Sequence, residues 1–325
     1  MRALVHAAFG EPRDVLHLAD VPEPAPGAGE ALVRTLLSPI HNHDLWTIRG
    51  TYGTRPGLPA VGGTEALGVV EALGDGAAGP AVGSRVVTGG SPGVWAERFV
   101  TKAAGLLPVP DGILDEAAAQ LVAMPFSAAS VLDEIDLAAE EVLVQNAANG
   151  AVGRLVAQLG TLRGLIVIGL VRRAAAVDEL AGQGIEGVVA TDSDSWQDRV
   201  AAMTGDRPVR AAIDSVGGDA AGDLLRLLGP DGQLVVFGSM GSLDLRLPAG
   251  PLIFQQAVVK GFWGSIVTRT TRPEVRAARM REVLGGIATG ALTLPVEGVF
   301  RFDETEAAFA AQDRPGRSGK VLLRP

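Results

Sequence analysis

An α/β fold in two parts, a β-rich domain followed by a doubly wound parallel sheet, is what the sequence predicts. Three observations carry this. Short valine- and leucine-rich runs separated by Pro/Gly stretches fill roughly the first hundred residues. Beyond them, strand-like and helix-like runs alternate, the pattern of parallel β-α-β units. A turn of small residues joins the first strand of that alternation to its helix. The chain has 325 residues, 47% hydrophobic and 20% charged, which suits about two domains with buried cores.

The elements follow in order. "RALVHAAF", "EALVRTLLSP", "ALGVVEAL" and "SRVVTG" read as strands, and "VPEPAPGAGE" and "GDGAAGPAVGS" as the loops between them. "ILDEAAAQLVAMPFSAASVLDE" reads as helix, with Pro125 as a boundary or kink. "EVLVQNA" is a buried strand, and "AVGRLVAQLGTLR" a helix with Val152, Leu155, Val156, Leu159 and Leu162 on one stripe. "LIVIGLV", "GVVAT", "VRAAIDS" and "QLVVFG" continue as strands. "AAVDELAGQG", "SWQDRVAAMTG" and "AAGDLLRLL" supply the helices between them. After "LIFQQAVVKGFWGS" a long helix over roughly 273–289 leads into strands that return to the first domain. The boundaries drawn from this are 1–115, 116–260 and 261–325.

Composition removes several function classes. The net charge of −9 argues against nucleic acid or an anionic membrane surface as partner. The densest basic group, Arg269, Arg272, Arg276, Arg279 and Arg281, alternates with apolar positions and reads as a solvated helix face. There is no cysteine, so disulfides, thiolate zinc sites and cysteine nucleophiles are out. "MRALVHAAFGEP" lacks the apolar core of a signal peptide, and no apolar run approaches the length of about 20 residues that spans a membrane. The expectation is a cytoplasmic protein.

The small-residue turn reads Gln145-Asn146-Ala147-Ala148-Asn149-Gly150-Ala151-Val152-Gly153. This is a dinucleotide fingerprint with alanine in the first glycine position. Gly150 lets a pyrophosphate approach the backbone N–H groups, and Gly153 lets the helix pack closely on the strand. An NAD site would place an acid at the end of the second strand; the chain has Arg172 and Arg173 there. Paired guanidinium groups suit a 2′-phosphate, which predicts NADPH; the alternative is a pair of solvated arginines.

Together the blocks "PIHNHDLWTIRGTYG", "LPAVGGTEALGVV", "VLVQNAANGAVG", "VRR", "DSVGG", "FGSM", "LIF" and "KGFWGS" resemble the medium-chain dehydrogenase/reductase superfamily over nearly the whole chain. The resemblance implies a GroES-like β domain carrying the substrate site, followed by a Rossmann domain. Within the superfamily the chain is similar to the mitochondrial-type trans-2-enoyl-thioester reductases, neighbours of the zeta-crystallin-like quinone oxidoreductases. Their first block usually reads P-I-N-P-S-D…G-x-Y-G, and this chain departs from it at His41, Asn42 and His43.

The superfamily also contains zinc alcohol dehydrogenases, whose three ligand positions correspond by motif to His41, Thr64 and Met124. Only His41 of these ligates well, and a zinc site needs three protein ligands, so no metal is expected. In extended chain His41 and His43 would share one side with Asp44 turned away. Either a histidine lines the substrate or nicotinamide pocket, or it is bonded to a nearby carbonyl.

The remaining assignments come from the resemblance. Tyr52 is the donor or proton source for the substrate, with an aromatic lid as the alternative. Asn149, Gly150, Ala151 and Val152 lie beside the pyrophosphate, and Lys320 near the cofactor phosphates. Phe237, Gly238, Ser239 and Met240, with Phe262, Trp263 and Gly264, flank the nicotinamide half, and Trp263 also borders the substrate. The implied reaction is NADPH-dependent hydride transfer to the C=C bond of an α,β-unsaturated carbonyl compound, as a simple enone or a CoA or carrier-protein thioester, by a homodimer. An NADPH:quinone oxidoreductase is the near alternative. A low-turnover NADPH-binding regulatory protein and a zinc alcohol dehydrogenase are the others.

Overall fold

Alternate residues of the segment Glu30–Pro39 are buried, with Ala31, Val33, Thr35 and Leu37 turned inward. That period of two belongs to a strand with one face on a core. The computed structural model describes all residues, Met1–Pro325. In chain order the strands are β1 Arg2–His6, β2 Leu16–Asp20, β3 Glu30–Pro39, β4 Ala60–Val61, β5 Glu65–Leu73, β6 Arg85–Gly89, β7 Arg98–Lys102, β8 Leu107–Pro108, β9 Val142–Gln145, β10 Ile166–Val171, β11 Val188–Ala190, β12 Val209–Asp214, β13 Leu228–Val236, β14 Val258–Gly261, β15 Val296–Arg301 and β16 Lys320–Arg324. No helix is long and apolar enough to cross a membrane.

The chain divides into two units, Met1–Ala123 with Leu294–Pro325, and Met124–Thr293. The first holds a small sheet, β2-β1-β4, and a larger one, β15-β16-β3-β5-β6-β8, with β7 also paired to β3. Leu4, Val33, Ile40, Ile48, Trp95 and Phe302 fill its core. Trp95 dictates the sequence opposite it. A Cβ on Gly62 or Gly63 would stand 2.4 or 2.3 Å from the indole, and Gly63 also has φ +84°, so the backbone passes there only as Gly-Gly.

The second unit is a six-stranded parallel sheet in the order β11-β10-β9-β12-β13-β14. Apart from β13, its strands run three to six residues and are mostly apolar, as in a parallel sheet covered by helices. The order reverses between β9 and β12, which makes the C-terminal ends of those two strands the ligand-binding edge of such a sheet.

Three sequence expectations change. The boundaries at 115 and 260 move to 123 and 293, because ion pairs hold the helix Pro273–Ala288 in the second unit. Arg163 binds Glu282 at 2.8 Å, and Arg279 binds Asp133 at 2.6 Å. Arg279, read as part of a solvated face, is therefore buried. Only the chain from Leu294 onward returns to the first unit. The helix expected across 113–134 is two, Asp115–Ala118 and Ala123–Ile135. Pro125 sits in the first turn of the second, where its missing N–H costs nothing. The segment after β3, expected to be extended, forms the helix Asn42–Arg49.

Candidate active site

The site in the first unit is built where β3 ends. His41 is the N-cap of the helix Asn42–Arg49, and its N–H donates to Asp44 Oδ2 at 3.1 Å. An acid at this third helical position satisfies an N–H that the helix itself leaves open. The cap folds the H-x-H-D segment so that the two imidazoles stack, centroids 4.9 Å apart and planes 18° from parallel. Gly50, at φ +75°, ends the helix. Thr51 and Tyr52 then donate their N–H groups to the Trp46 carbonyl at 3.0 and 3.2 Å, which brings the Tyr52 ring to 5.9 Å from that of His43.

A buried chain of three ionisable groups, Lys320, His41 and Glu65, runs through His41. Lys320 Nζ is 2.9 Å from His41 Nδ1 and donates to the Ile40 carbonyl at 3.2 Å. His41 Nε2 is 2.7 Å from Glu65 Oε2. Glu65 Oε1 accepts from the N–H groups of Val122 and Ala123 at 2.7 and 2.9 Å. These bonds explain the break in the expected helix. An ammonium donates to Nδ1, so the imidazole proton sits on Nε2 and is given to the Glu65 carboxylate. Burial pushes the Glu65 carboxyl up to about 7, against the pull of the Ala123 and Val122 N–H groups and of Lys320. Burial, followed by the Lys320 charge and His43, holds His41 well below the ordinary histidine value. Two hydrogen bonds of Lys320, which the resemblance puts near the cofactor phosphates, run to His41 and Ile40 in the first unit.

A second chain starts at His43. Thr64 Oγ1 donates to Asp44 Oδ1 at 2.7 Å, and His43 Nε2 lies 2.8 Å from the same hydroxyl. Thr64 has one hydrogen to give and gives it to Asp44, so it accepts from His43 Nε2–H. Asp44 is buried, while the His43 side chain is 25% exposed. The sequence alone brings Thr64 and Asp44 forward only as possible metal ligands, with no part in a substrate site. An acid three residues after His41 is the signal that points to the cap and so to Asp44; nothing local points to Thr64.

The donor set does not fit a zinc ion. No group of three or more His, Cys, Asp or Glu side chains is arranged to hold a metal. Both nitrogens of His41 are engaged, and the Thr64 hydroxyl is shared between Asp44 and His43.

The nucleotide cradle lies in the second unit, at the end of β9. Gly150 caps the helix Ala151–Leu162 without any side-chain hydrogen bond to its first turn, so the N–H groups there are open to an anion. The cradle depends on missing side chains: a Cβ on Gly153 would lie 2.6 Å from the Ala147 carbonyl oxygen, and one on Gly150 3.1 Å. Beside it is a buried polar lock. Asn146 Nδ2 donates to Asp214 Oδ1 at 2.5 Å, and Asn146 Oδ1 accepts from Ser215 N at 2.7 Å. Asp214 also accepts from the N–H groups of Val216 and Gly217. An aspartate that captures the N–H groups two and three residues on is a local turn signature, and "DSVGG" carries it.

Arg172 and Arg173 follow β10 and are exposed, Arg173 with Glu179 at 3.8 Å. An acid absent from the local sequence comes close, since Asp192 Oδ2 accepts from Ala174 N at 3.0 Å. The Phe237 and Phe262 rings stack at 5.5 Å. Gly238 N donates to the Asp214 carbonyl and Met240 N to that of Ser215, which binds the "FGSM" turn to the same lock. Trp263 caps the short helix Gly264–Thr270.

Comparison with known proteins agrees with this architecture. Residues 27–111 match the alcohol dehydrogenase GroES-like domain family, and residues 151–278 the zinc-binding dehydrogenase family. The mitochondrial enoyl-[acyl-carrier-protein] reductase of Bos taurus is 31% identical over 99% of this chain and 88% of its own length. A mycobacterial protein solved in complex with NADPH superposes with a TM-score of 0.87 at 29% identity, over 100% of both chains. The quinone oxidoreductase of Thermus thermophilus, also solved with NADPH, gives 0.83 at 29% identity, again over 100% of both chains.

Proposed function

The chain belongs to the medium-chain dehydrogenase/reductase superfamily, in its zinc-free branch, and from that premise we propose that it reduces the activated C=C bond of α,β-unsaturated carbonyl compounds, 2-enoyl thioesters first among them. It is an NADPH-dependent oxidoreductase. The observation that carries the finer reading is the chemistry around His41: hydrogen bonds occupy the donors that zinc would need, and a phenol and an imidazole, Tyr52 and His43, stand beside them.

When bound, NADPH supplies a hydride. Hydride addition at the β-carbon drives the π electrons toward the carbonyl oxygen, and the developing enolate needs a donor. A tyrosine hydroxyl suits that oxygen because it donates at neutral pH. Tyr52 is the donor in this reading, with Arg172 and Arg173 as partners of the cofactor 2′-phosphate and the open turn at Gly150 as the pyrophosphate seat. Quinone reduction is the second reading, favoured by the whole-length likeness to the Thermus quinone oxidoreductase. A homodimer, a cytoplasmic location and a CoA or carrier-protein handle on the substrate belong to the same proposal.

The test is NADPH oxidation with crotonyl-CoA, a simple enone and a naphthoquinone. Turnover fastest on crotonyl-CoA is expected, and Tyr52→Phe should lower its kcat by about a hundredfold, the scale of a lost acid. Preference for the naphthoquinone would establish the second reading. Tight NADPH binding without turnover on any of the three would make this a binding protein.

A further inference from the structure

If Tyr52 gives up its proton to an enolate, the phenol must be restored before the next turnover. We propose that His43 is the residue that reprotonates Tyr52, with Thr64 and Asp44 fixing the imidazole for that task. The inference rests on the reading of Tyr52 as the acid of an unsaturated-carbonyl reductase.

Four observations converge on His43. Its ring lies 5.9 Å from that of Tyr52, centroid to centroid. Its Nε2–H is committed to Thr64, whose own hydrogen is committed to Asp44, so proton exchange runs through Nδ1. Its side chain reaches solvent, 25% exposed, whereas that of His41 is fully enclosed. Both nitrogens of His41 are engaged by Glu65 and Lys320, which leaves His41 without an exchangeable position. Imidazole is also the side chain best suited to passing protons near neutrality. The charged or titratable groups around His43 are Asp44, with Oδ1 3.5 Å from Nε2, the stacked His41, Glu65 and Lys320 behind His41, and Tyr52. The buried Asp44 carboxylate faces the nitrogen that keeps its proton throughout.

The steps balance. Hydride arrives at the β-carbon with its electron pair, the C=C π pair becomes the enolate, and that pair then forms the α-carbon C–H bond with the proton of Tyr52 O–H, giving the saturated product. The Tyr52 oxygen then takes a proton from Nδ1–H of the His43 imidazolium, and the neutral imidazole recovers one from water. One enoyl substrate, one NADPH and one proton yield one acyl product and one NADP⁺. His43 acts through Tyr52 and is therefore a positioning and relay residue.

The experiment compares His43→Asn, Thr64→Val and Tyr52→Phe on crotonyl-CoA with saturating NADPH. His43→Asn should lower kcat about tenfold, with KM within about twofold of wild type. It should also flatten the pH profile of kcat near neutrality, and added imidazole should restore part of the rate. Thr64→Val, which keeps the imidazole but frees Nε2, should lower kcat by less and gain nothing from added imidazole. If His43→Asn does not fold, the Thr64→Val rate and its pH profile decide. Wild-type kcat and pH profile in both variants, beside an impaired Tyr52→Phe, would overturn the relay and leave the reductase reading intact. Full activity in Tyr52→Phe, or no turnover of any unsaturated carbonyl by wild type, would overturn the reading beneath it as well.

Discussion

Glu65 is a carboxyl with no exposure, held between His41 and two backbone N–H groups, and its ionisation marks the stability of the first unit. In the folded chain its value rises from 4.5 to about 7. The folded state therefore holds a proton that the unfolded state releases. The stabilisation this gives is complete below about pH 4.5 and is lost as pH rises to about 7. His41 runs the other way: its value is lowered from 6.5 by burial, then by Lys320 and His43, and its contribution is lost as pH falls below that value. Glu65→Gln cannot ionise. The Tm of the variant, whatever its constant offset, should therefore gain on wild type between about pH 4.5 and 7 and then run parallel to it. Parallel curves throughout would show that Glu65 is ionised without penalty. The sequence displayed Glu65 in "GGTE" but not its partners. His41 and Lys320 are separated by 279 positions, and no local spacing encodes that meeting. Tyr52, set in a short motif with its own helix stop at Gly50, was easier to pick out.

At the scale of elements, the alternating strands and helices of the second unit are legible because most carry their own period and several helices stop at a glycine, such as Gly182 and Gly205. The helix expected over roughly 273–289 is observed as Pro273–Ala288. The elements misread are those whose form depends on a distant group. The break before Ala123 is made by Glu65, and the helix Asn42–Arg49 is started by a cap that needs Asp44 to turn back on His41. The fingerprint turn offers a prediction that separates structure from binding. A Cβ on Gly153 would press on backbone on two sides, 2.6 Å from the Ala147 oxygen and 2.8 Å from Ala148 Cα, whereas on Gly150 the nearest atom is at 3.1 Å. Backbone yields poorly, so Gly153→Ala should lower Tm by several degrees, as expected for about 1–3 kcal/mol of overpacking. Gly150→Ala should leave Tm near wild type and weaken NADPH binding about tenfold, because the methyl group stands where the pyrophosphate must approach the helix N-terminus. Thermal unfolding and a fluorescence titration of NADPH measure the two effects, and equal Tm losses in both variants would contradict the assignment.

For the whole molecule, the informative surface is the edge of the six-stranded sheet. β14 pairs only with β13, so its outer edge carries unpaired backbone groups, which native proteins either protect or use for association. Around it are large exposed apolar side chains, with Ile253 57%, Phe254 84% and Val258 54% accessible. A chain with net charge −9 has polar residues enough to cover such an edge, yet the helix Ala249–Phe254 carries none and β14 only Lys260, which is paired with Glu134 at 3.0 Å. A second copy satisfies both needs at once. Under a twofold axis β14 would lie antiparallel to its own image, joining the backbone edges and burying the apolar side chains of both copies in one self-complementary interface. This edge is where the proposed homodimer would form. Light scattering of the wild type should give twice the chain mass. A variant carrying Phe254→Glu and Val258→Lys should run as a monomer with its far-UV circular dichroism and NADPH affinity preserved, because neither side chain belongs to the cluster that fills the core of the second unit. A monomeric wild type, or a variant that stays dimeric, would remove β14 as the interface.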